Sequence, residues 1–182
     1  MFNEHKIAQM AAYFLARHDG RMSYLKLMKL LYLAERRSLE VYGLPMSGDK
    51  PSALPHGPVL TMTLDLMSGN IHKDGWDTWI SGKEDYEVAL KRNVERNALD
   101  ELSDADLEIL ESVWKDFGRL SKWEIRDYTH AHCPEWTDPH GSSRPIAYYE
   151  ILRAVGKSEE EARAISEYIE SMDGLDKLFR TL

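Results

Sequence analysis

The segment that begins at Ser23 and ends before Gly43 constrains the fold more than any other part of the chain. Its apolar residues recur three, four and seven positions apart, the spacing of one face of an α-helix: Leu27, Leu30, Leu31, Ala34 and Val41. Leu25, Met28 and Leu33 widen this face, so we expect a central helix that is contacted from several sides. The Ser23 hydroxyl is positioned to cap the helix, and Gly43 can end it in a left-handed conformation.

The same spacing recurs on both sides of this segment and predicts a mainly α-helical protein. Further helices are expected over residues 5–18, 57–68, 104–117, 121–129, 146–155 and 159–172. The helix at 57–68 is expected to begin at Gly57-Pro58, because proline is well tolerated in a first turn. Ser121 followed by Glu124 predicts a capping box. No linker, repeat or low-complexity segment divides the chain, which predicts one domain over residues 1–182.

Residues 71–94 do not follow the helical pattern. Tyr86, Val88 and Leu90 alternate with polar residues, which is the period of a β-strand with one buried face. Trp79 and Ile80 precede a polar turn that contains Gly82. We therefore predict a small β-hairpin at about residues 77–91.

Charge and composition favour a cytoplasmic protein without nucleic-acid or membrane partners. The formal net charge of −8 opposes non-specific binding to nucleic acid, because neutralising phosphates requires clustered Lys and Arg. The acidic balance is compatible with a basic protein partner, and equally with a role in solubility alone. The chain has no apolar run that would cross a bilayer and no signal-peptide core, and its single Cys133 fits a reducing compartment.

A cluster of potential metal ligands follows the segment at 121–129. His130, His132 and Cys133, with Asp138 and His140 behind them, are ligand types that bind zinc, so a metal-dependent hydrolase must be weighed. The spacing matches no regular ligand set, and a solvated loop explains the residues as well, so we expect no metal. Cys133 with a histidine is also a potential nucleophile–base pair, but nothing nearby suggests an oxyanion site.

Two other sets of residues have a functional and a structural interpretation. Lys26 and Lys29 share one side of the central helix, where they predict either a contact patch or a solvated basic surface. Asp49 and His56 flank the loop before Gly57, where a catalytic dyad is conceivable. We favour the structural interpretation for Asp49, because aspartate readily accepts backbone hydrogen bonds in turns.

Two motifs occur in order along the chain. The first joins Lys26-Leu27-x-Lys29-Leu30-Leu31-Tyr32 to Gly48-Asp49 and to Gly57-Pro58-Val59, and the second runs through Leu120-Ser121, Trp123, Thr129-His130, Pro134 and Trp136. Together they resemble the Panacea domain, the SocA-like family of bacterial antitoxins often found near prophages. Met28 and Leu54-Pro55 depart from the family pattern. The resemblance covers about residues 5–155 and leaves a C-terminal helix, 158–172, as an addition.

The resemblance implies an antitoxin of a toxin–antitoxin system, with a role in phage defence, that neutralises a cognate protein toxin by direct binding. It implies no enzymatic activity and no cofactor, and it is compatible with a homo-oligomer or a hetero-oligomer with the toxin. Gly57, Pro58 and Val59 are expected to be structural. The candidate toxin-binding residues are Lys26, Lys29, Tyr32, Asp49, His56, Trp123, His130 and Trp136.

Three alternatives remain open at this stage. The first is a hydrolase that uses His130, His132 and Asp138. The second is a DNA-binding regulator of its own operon, against which the acidic balance counts. The third is an adaptor that delivers the toxin to a protease, which is a variant of the binding function.

Overall fold

The computed structural model describes residues 2–82 and 84–180, without the side chains of 176–180. Most of the described chain is helical, which confirms the predicted fold class. The helices are α1 (Glu4–Ala16), α2 (Tyr24–Tyr42), α3 (Thr61–Ser68), α4 (Asp74–Trp79), α5 (Asp104–Phe117), α6 (Lys122–His132), α7 (Tyr148–Ala154) and α8 (Glu159–Arg180). Within the described residues, no helix has both the length and the apolar character that crossing a bilayer requires.

Two small antiparallel sheets accompany the helices. The strands are β1 (Arg21–Ser23), β2 (Pro51–Leu54), β3 (Gly57–Leu60), β4 (Glu87–Ala89) and β5 (Arg144–Pro145). One sheet pairs β1 with β4, and the other has the strand order β3-β2-β5. The second sheet brings a strand from near the C-terminal third against the loop that follows α2.

Helix α2 is the centre of the fold, as its sequence predicted. It packs against α1, α5, α6, α7 and β3, and Leu27, Leu30 and Leu31 are fully buried. Gly43 ends it at φ 68°, and its N–H bonds to the carbonyl of Leu39, which confirms the predicted left-handed cap. Two details were wrong. Ser23 precedes the helix but its hydroxyl makes no capping bond, because this residue belongs to β1. Val41 is 53% exposed, because the last turn of α2 extends past the core.

The prediction that Gly57-Pro58 begins a helix was wrong. These residues open β3, with Leu54 opposite Gly57 and Ala53 opposite Pro58 in an antiparallel register. Gly57 has φ +97°, a backbone conformation that other residues rarely adopt, and it turns the chain back along β2. Helix α3 begins only at Thr61. The loop expected before Gly57 contains the strand β2 (Pro51–Leu54).

The hairpin predicted at residues 77–91 forms in part, with isolated bridges in place of a continuous strand pair. Isolated antiparallel bridges join Ile80 to Leu90 and Glu84 to Glu87. Trp79, expected in the first strand, lies in α4 instead, and its ring is buried. The second strand, β4, pairs mainly with β1, which is distant in sequence.

Helices α7 and α8 attach to the rest through a second apolar cluster. This cluster joins them to the end of α2 and to β2, and it consists of Leu39, Ala53, Ile146, Ile151, Leu152, Ala162 and Ile169. Helix α8 begins with a capping box between Ser158 and Glu161. It continues to Arg180, beyond the predicted end at residue 172. The C-terminal pair of helices is thus fixed on a core that is separate from the main one.

Candidate functional site

Three segments that are distant in sequence meet at the side chain of Lys29. This side chain is fully buried, and its Nζ donates a hydrogen bond to the carbonyl oxygen of Pro58 over 2.7 Å. A Cβ placed on Gly57 would lie 2.9 Å from both Lys29 Nζ and Thr129 Oγ1, so only glycine leaves room there. We call Lys29, Gly57, Pro58 and Thr129 the Lys29 cluster. It joins α2, β3 and α6.

The interior position of Lys29 changes its acid–base behaviour. Burial lowers its pKa to about 7, because the protein interior solvates an ammonium group poorly. Two smaller effects contribute to this pKa: the interaction with Cys133 raises it, and the positive charge of Arg126 lowers it. Near neutral pH, the cluster therefore contains a lysine that can be charged or neutral.

Lys26 and Tyr32 are also interior residues of α2. Lys26 is 6% exposed and donates to the carbonyl oxygen of Gly118 over 2.8 Å, and burial lowers its pKa. Tyr32 is fully buried and its hydroxyl donates to Glu135 Oε1 over 2.7 Å. Neither the basic contact patch nor the solvated basic surface forms, because Lys26 and Lys29 face carbonyl oxygens inside the protein.

Asp49 anchors the loop before β2, as predicted. Its buried carboxylate accepts the backbone N–H groups of Lys50, Met62 and Thr63 and the hydroxyl of Thr63, at 2.7–3.0 Å. It thereby satisfies free N–H groups in the first turn of α3. Burial raises the pKa of Asp49, and the bonds from Thr63 and Met62 oppose that shift. His56 is exposed at the turn between β2 and β3, whereas Asp49 is interior.

Four of the eight candidate contact residues are therefore covered. A partner that docks on the surface does not reach the side chains of Lys26, Lys29, Tyr32 and Asp49. Their polar atoms are engaged in internal hydrogen bonds, and we correct their assignment from contact residues to residues that hold the site together. Gly57, Pro58 and Val59 are buried, in agreement with the predicted structural role.

The other four candidates lie around the outer side of α6. The His130 and Trp136 rings stack with centroids 4.0 Å apart and an angle of 5° between the planes. Trp136 Nε1 donates to the carbonyl oxygen of Leu54 over 2.9 Å, which ties the segment after α6 to the β2–β3 turn. His56 lies in that turn, between Leu54 and Gly57.

Trp123 completes this surface at the start of α6. Its ring is 49% exposed, with Lys122 Nζ 5.1 Å and Arg126 Cζ 4.8 Å from its centroid. Trp123 and His130 are seven residues apart, which places them on the same side of the helix. We call Trp123, Arg126, His130 and Trp136, together with the turn residue His56, the α6 face.

The environment of His130 is unusual for a surface-facing histidine. Its Nε2 atom is buried and has no hydrogen-bond partner among the described residues. Burial lowers its pKa, and the positive charges of Lys29 and Arg126 lower it further. The neutral imidazole is therefore favoured on the α6 face near pH 7.

Sequence reasoning missed a buried ion pair beneath the α6 face. The Glu135 side chain is fully buried and accepts from Arg36 Nε over 2.7 Å as well as from Tyr32. This pair ties α2 to the segment after α6. Tyr32 and Arg36 are four residues apart, on one side of α2, and that spacing was the available signal.

A second buried carboxylate was also missed. The Glu35 side chain is fully buried and accepts the N–H groups of Met46 and Ser47. Burial raises the pKa of Glu35 to about 7, although these hydrogen bonds favour the charged form. Glu35 fixes the loop that leads to Asp49.

The potential metal ligands in the last turn of α6 and in the segment after it are not brought together. Among the described side chains, which exclude those of residues 176–180, no three His, Cys, Asp or Glu are placed to share an ion. The His132 ring packs on Tyr128, and the Asp138 carboxylate accepts the backbone N–H of His140. Cys133 is buried, and burial raises its thiol pKa to about 12, which disfavours the nucleophilic thiolate.

Comparison with known protein families gives a match over the part of the chain that contains this site. The family described as antitoxin SocA-like, Panacea domain, matches residues 27–137. The chain belongs to this family. The resemblance seen in the two motifs is therefore confirmed, over a shorter range than the expected residues 5–155. No curated protein and no solved structure gives a significant match to the chain.

The Panacea domain match coincides with the site. It begins in α2 and ends directly after Trp136, so it contains the Lys29 cluster and the α6 face. Helices α1, α7 and α8 lie outside it. The two family motifs thus form one continuous part of the structure, with Lys29, Tyr32 and Asp49 in its interior and Trp123 and His56 on its surface.

Proposed function

We propose that this protein is an antitoxin that neutralises a cognate protein toxin by direct binding and catalyses no reaction itself. Membership of the SocA-like antitoxin family, over more than half of the chain, is the observation that carries the proposal. The family implies a protein partner, and the further step to a toxin bound and blocked on this surface is our inference.

The composition of the α6 face supports this proposal. Trp and Arg are the side chains that most often dominate the binding energy of protein interfaces. Trp123 is half-exposed beside Arg126, and neither side chain belongs to the main buried core. We propose that Trp123, His56, His130 and Trp136 contact the toxin directly.

Co-expression with the product of the adjacent reading frame tests the function. That product should arrest growth when expressed alone and should be harmless when this chain is present. The two proteins should then co-purify at a fixed stoichiometry. Absence of any toxic neighbour would contradict the proposal, and so would turnover of a small substrate that a His130 substitution abolishes.

Single substitutions test whether the α6 face is the contact surface. Trp123→Ala and His56→Ala should weaken the complex by about tenfold or more without changing the thermal midpoint, because both side chains are exposed. His72→Ala is the matched control, since it removes an exposed imidazole near α4. Equal affinities for all three variants would place the contact elsewhere.

A further inference from the structure

Helix α8 carries an apolar stripe that the other described residues leave uncovered. Tyr168, Met172 and Leu175 are 53%, 43% and 49% exposed, and their spacing of four and three places them on one side of the helix. Ala162 and Ile169 form the other, buried apolar side. The three exposed side chains therefore do not take part in the packing that attaches α8 to its core.

Tyr168 and Met172 of this stripe form one wall of a groove. Leu44, which is 47% exposed, and Pro45 form the opposite wall directly after α2, and Tyr148 of α7 closes the groove between them. The volume enclosed is about 290 Å³. We call this feature, lined by Leu44, Pro45, Tyr148, Tyr168 and Met172, the α8 groove.

The two walls are held in place by close packing. A Cβ on Gly43 would lie 3.3 Å from Ile165 Cδ1, so the end of α2 and the middle of α8 are in contact. Ile169 and Leu39 belong to the same buried cluster. The groove is therefore a fixed feature of the fold.

Helix α8 is acidic over its exposed surface, and Glu167 directly precedes Tyr168 of the stripe. The exposed glutamates of α8 are Glu159, Glu160, Glu161, Glu167 and Glu170. Arg163 is the one basic residue in the sequence from 159 to 175, and it is paired with Glu159 over 2.9 Å. A second copy of this chain would bring acidic side chains against acidic side chains, which is unfavourable. A partner with apolar residues flanked by Lys or Arg complements both the stripe and its charge.

We propose that the α8 groove binds a basic amphipathic helix of the partner protein and selects which partner is bound. The inference rests on the proposed function in so far as this helix belongs to the toxin. The α8 wall lies outside the family match at residues 27–137 and the α6 face lies inside it. The groove would thus add to the α6 face a contact made in part by a helix outside the family match.

A designed peptide tests the chemistry of the groove without knowledge of the toxin. The probe is a Lys/Leu peptide of about five helical turns with all its leucines on one side. It should bind the full chain with one site, and its affinity should fall with rising salt. Tyr168→Ala combined with Met172→Ala should weaken binding by about tenfold or more. No binding to the wild type, or equal binding to the double variant, overturns the proposal.

Matched charge reversals test whether the acidic residues of α8 contribute to binding. Glu167→Lys should weaken binding of the Lys/Leu peptide. Glu108→Lys makes the same charge change at an exposed position of α5, far from the groove in sequence, and should have little effect. A Glu/Leu peptide of the same pattern should not bind. Equal effects of the two reversals, or equal binding of the Glu/Leu peptide, would overturn the assignment of a basic partner.

The toxin assay separates this inference from the proposed function. If the wild type suppresses the toxic neighbour and the Tyr168→Ala/Met172→Ala variant suppresses it equally well, the groove inference fails and the antitoxin function stands. If no neighbour is toxic while the peptide binds the groove, the antitoxin function fails. A dimer in sedimentation that the double variant dissociates would assign the groove to a second copy and overturn the basic partner.

Discussion

Lys29 Nζ and the carbonyl oxygen of Pro58 are joined by a 2.7 Å hydrogen bond that crosses from the central helix to the strand after the β2–β3 turn. The first family motif contains a lysine on a helix and a Gly-Pro pair in a separate segment. The structure shows that these are the two sides of one contact, and Gly57 supplies the space that the contact requires.

Gly57→Ala should destabilise the protein by about 1–3 kcal/mol, because it combines a strained positive φ with a clash against Lys29 and Thr129. The free energy of unfolding in urea measures this. Gly69→Ala is the matched control, since Gly69 also has a positive φ, +74°, but its Cβ would have open space around it. We expect the control to cost about 1 kcal/mol. Equal losses would mean that the close contact contributes nothing.

Lys29 should make stability depend on pH above neutrality. Its folded-state pKa is lowered from 10.5 to about 7, so between these values the unfolded chain binds a proton that the folded protein lacks. Stability therefore rises with pH in this window, by about 2 kcal/mol between about pH 7 and about pH 9, and no further change comes from Lys29 below it. Lys29→Met should remove this rise. A difference between wild type and variant that stays constant with pH would contradict the lowered pKa.

Arg36→Met should be much more harmful than Arg37→Met. Arg36 is the ion-pair partner of the fully buried Glu135 carboxylate, and removing one member of a buried pair costs about 3–5 kcal/mol. Arg37 pairs with Asp116 and Glu40 on the surface, where such pairs are worth about 0–1 kcal/mol. Thermal and urea unfolding of both variants compare the two directly.

A second substitution distinguishes lost charge pairing from lost packing at the same place. Glu135→Gln in the Arg36→Met background replaces the unpaired carboxylate with a neutral amide, and should recover part of the lost stability. No recovery would indicate that the Arg36 side chain acts through its apolar contacts.

Asp49→Ala should destabilise the start of α3 by about 1–3 kcal/mol, because the N–H groups of Met62 and Thr63 lose their acceptor. Asp49→Asn should cost less, because its amide oxygen can still accept. Asp65→Ala is the control on the same helix, where the carboxylate accepts only from the exposed amide of Asn70. Hydrogen exchange of the first-turn amides reports the effect locally.

The helices were predictable because their signals are local. Helix α2 follows from apolar spacing, and the Ser121–Glu124 capping box at the start of α6 is present as predicted. The strand β3 was not predictable in this way, because Gly57-Pro58 suits a first helical turn and a strand equally well. Contacts with Lys29 and Thr129, which are distant in sequence, decide between them.

For about half of the candidate site residues, exposure or burial could be predicted from the sequence, and the reason is physical. Lysine and aspartate are seldom fully buried, so sequence alone favours the surface for Lys29 and Asp49. Their burial depends on a carbonyl oxygen or backbone N–H groups that the fold brings from elsewhere. Trp123 and His56 needed no such partner, and both are exposed as a contact residue must be.

The β2–β3 turn is fastened at both ends, since the carbonyl of Leu54 accepts from Trp136 and the carbonyl of Pro58 accepts from Lys29. His56 is therefore presented on a backbone whose shape is already set before any partner arrives. In the proposed complex with a toxin, association at this turn should lose little conformational entropy, so that a few anchoring side chains would support a long-lived complex.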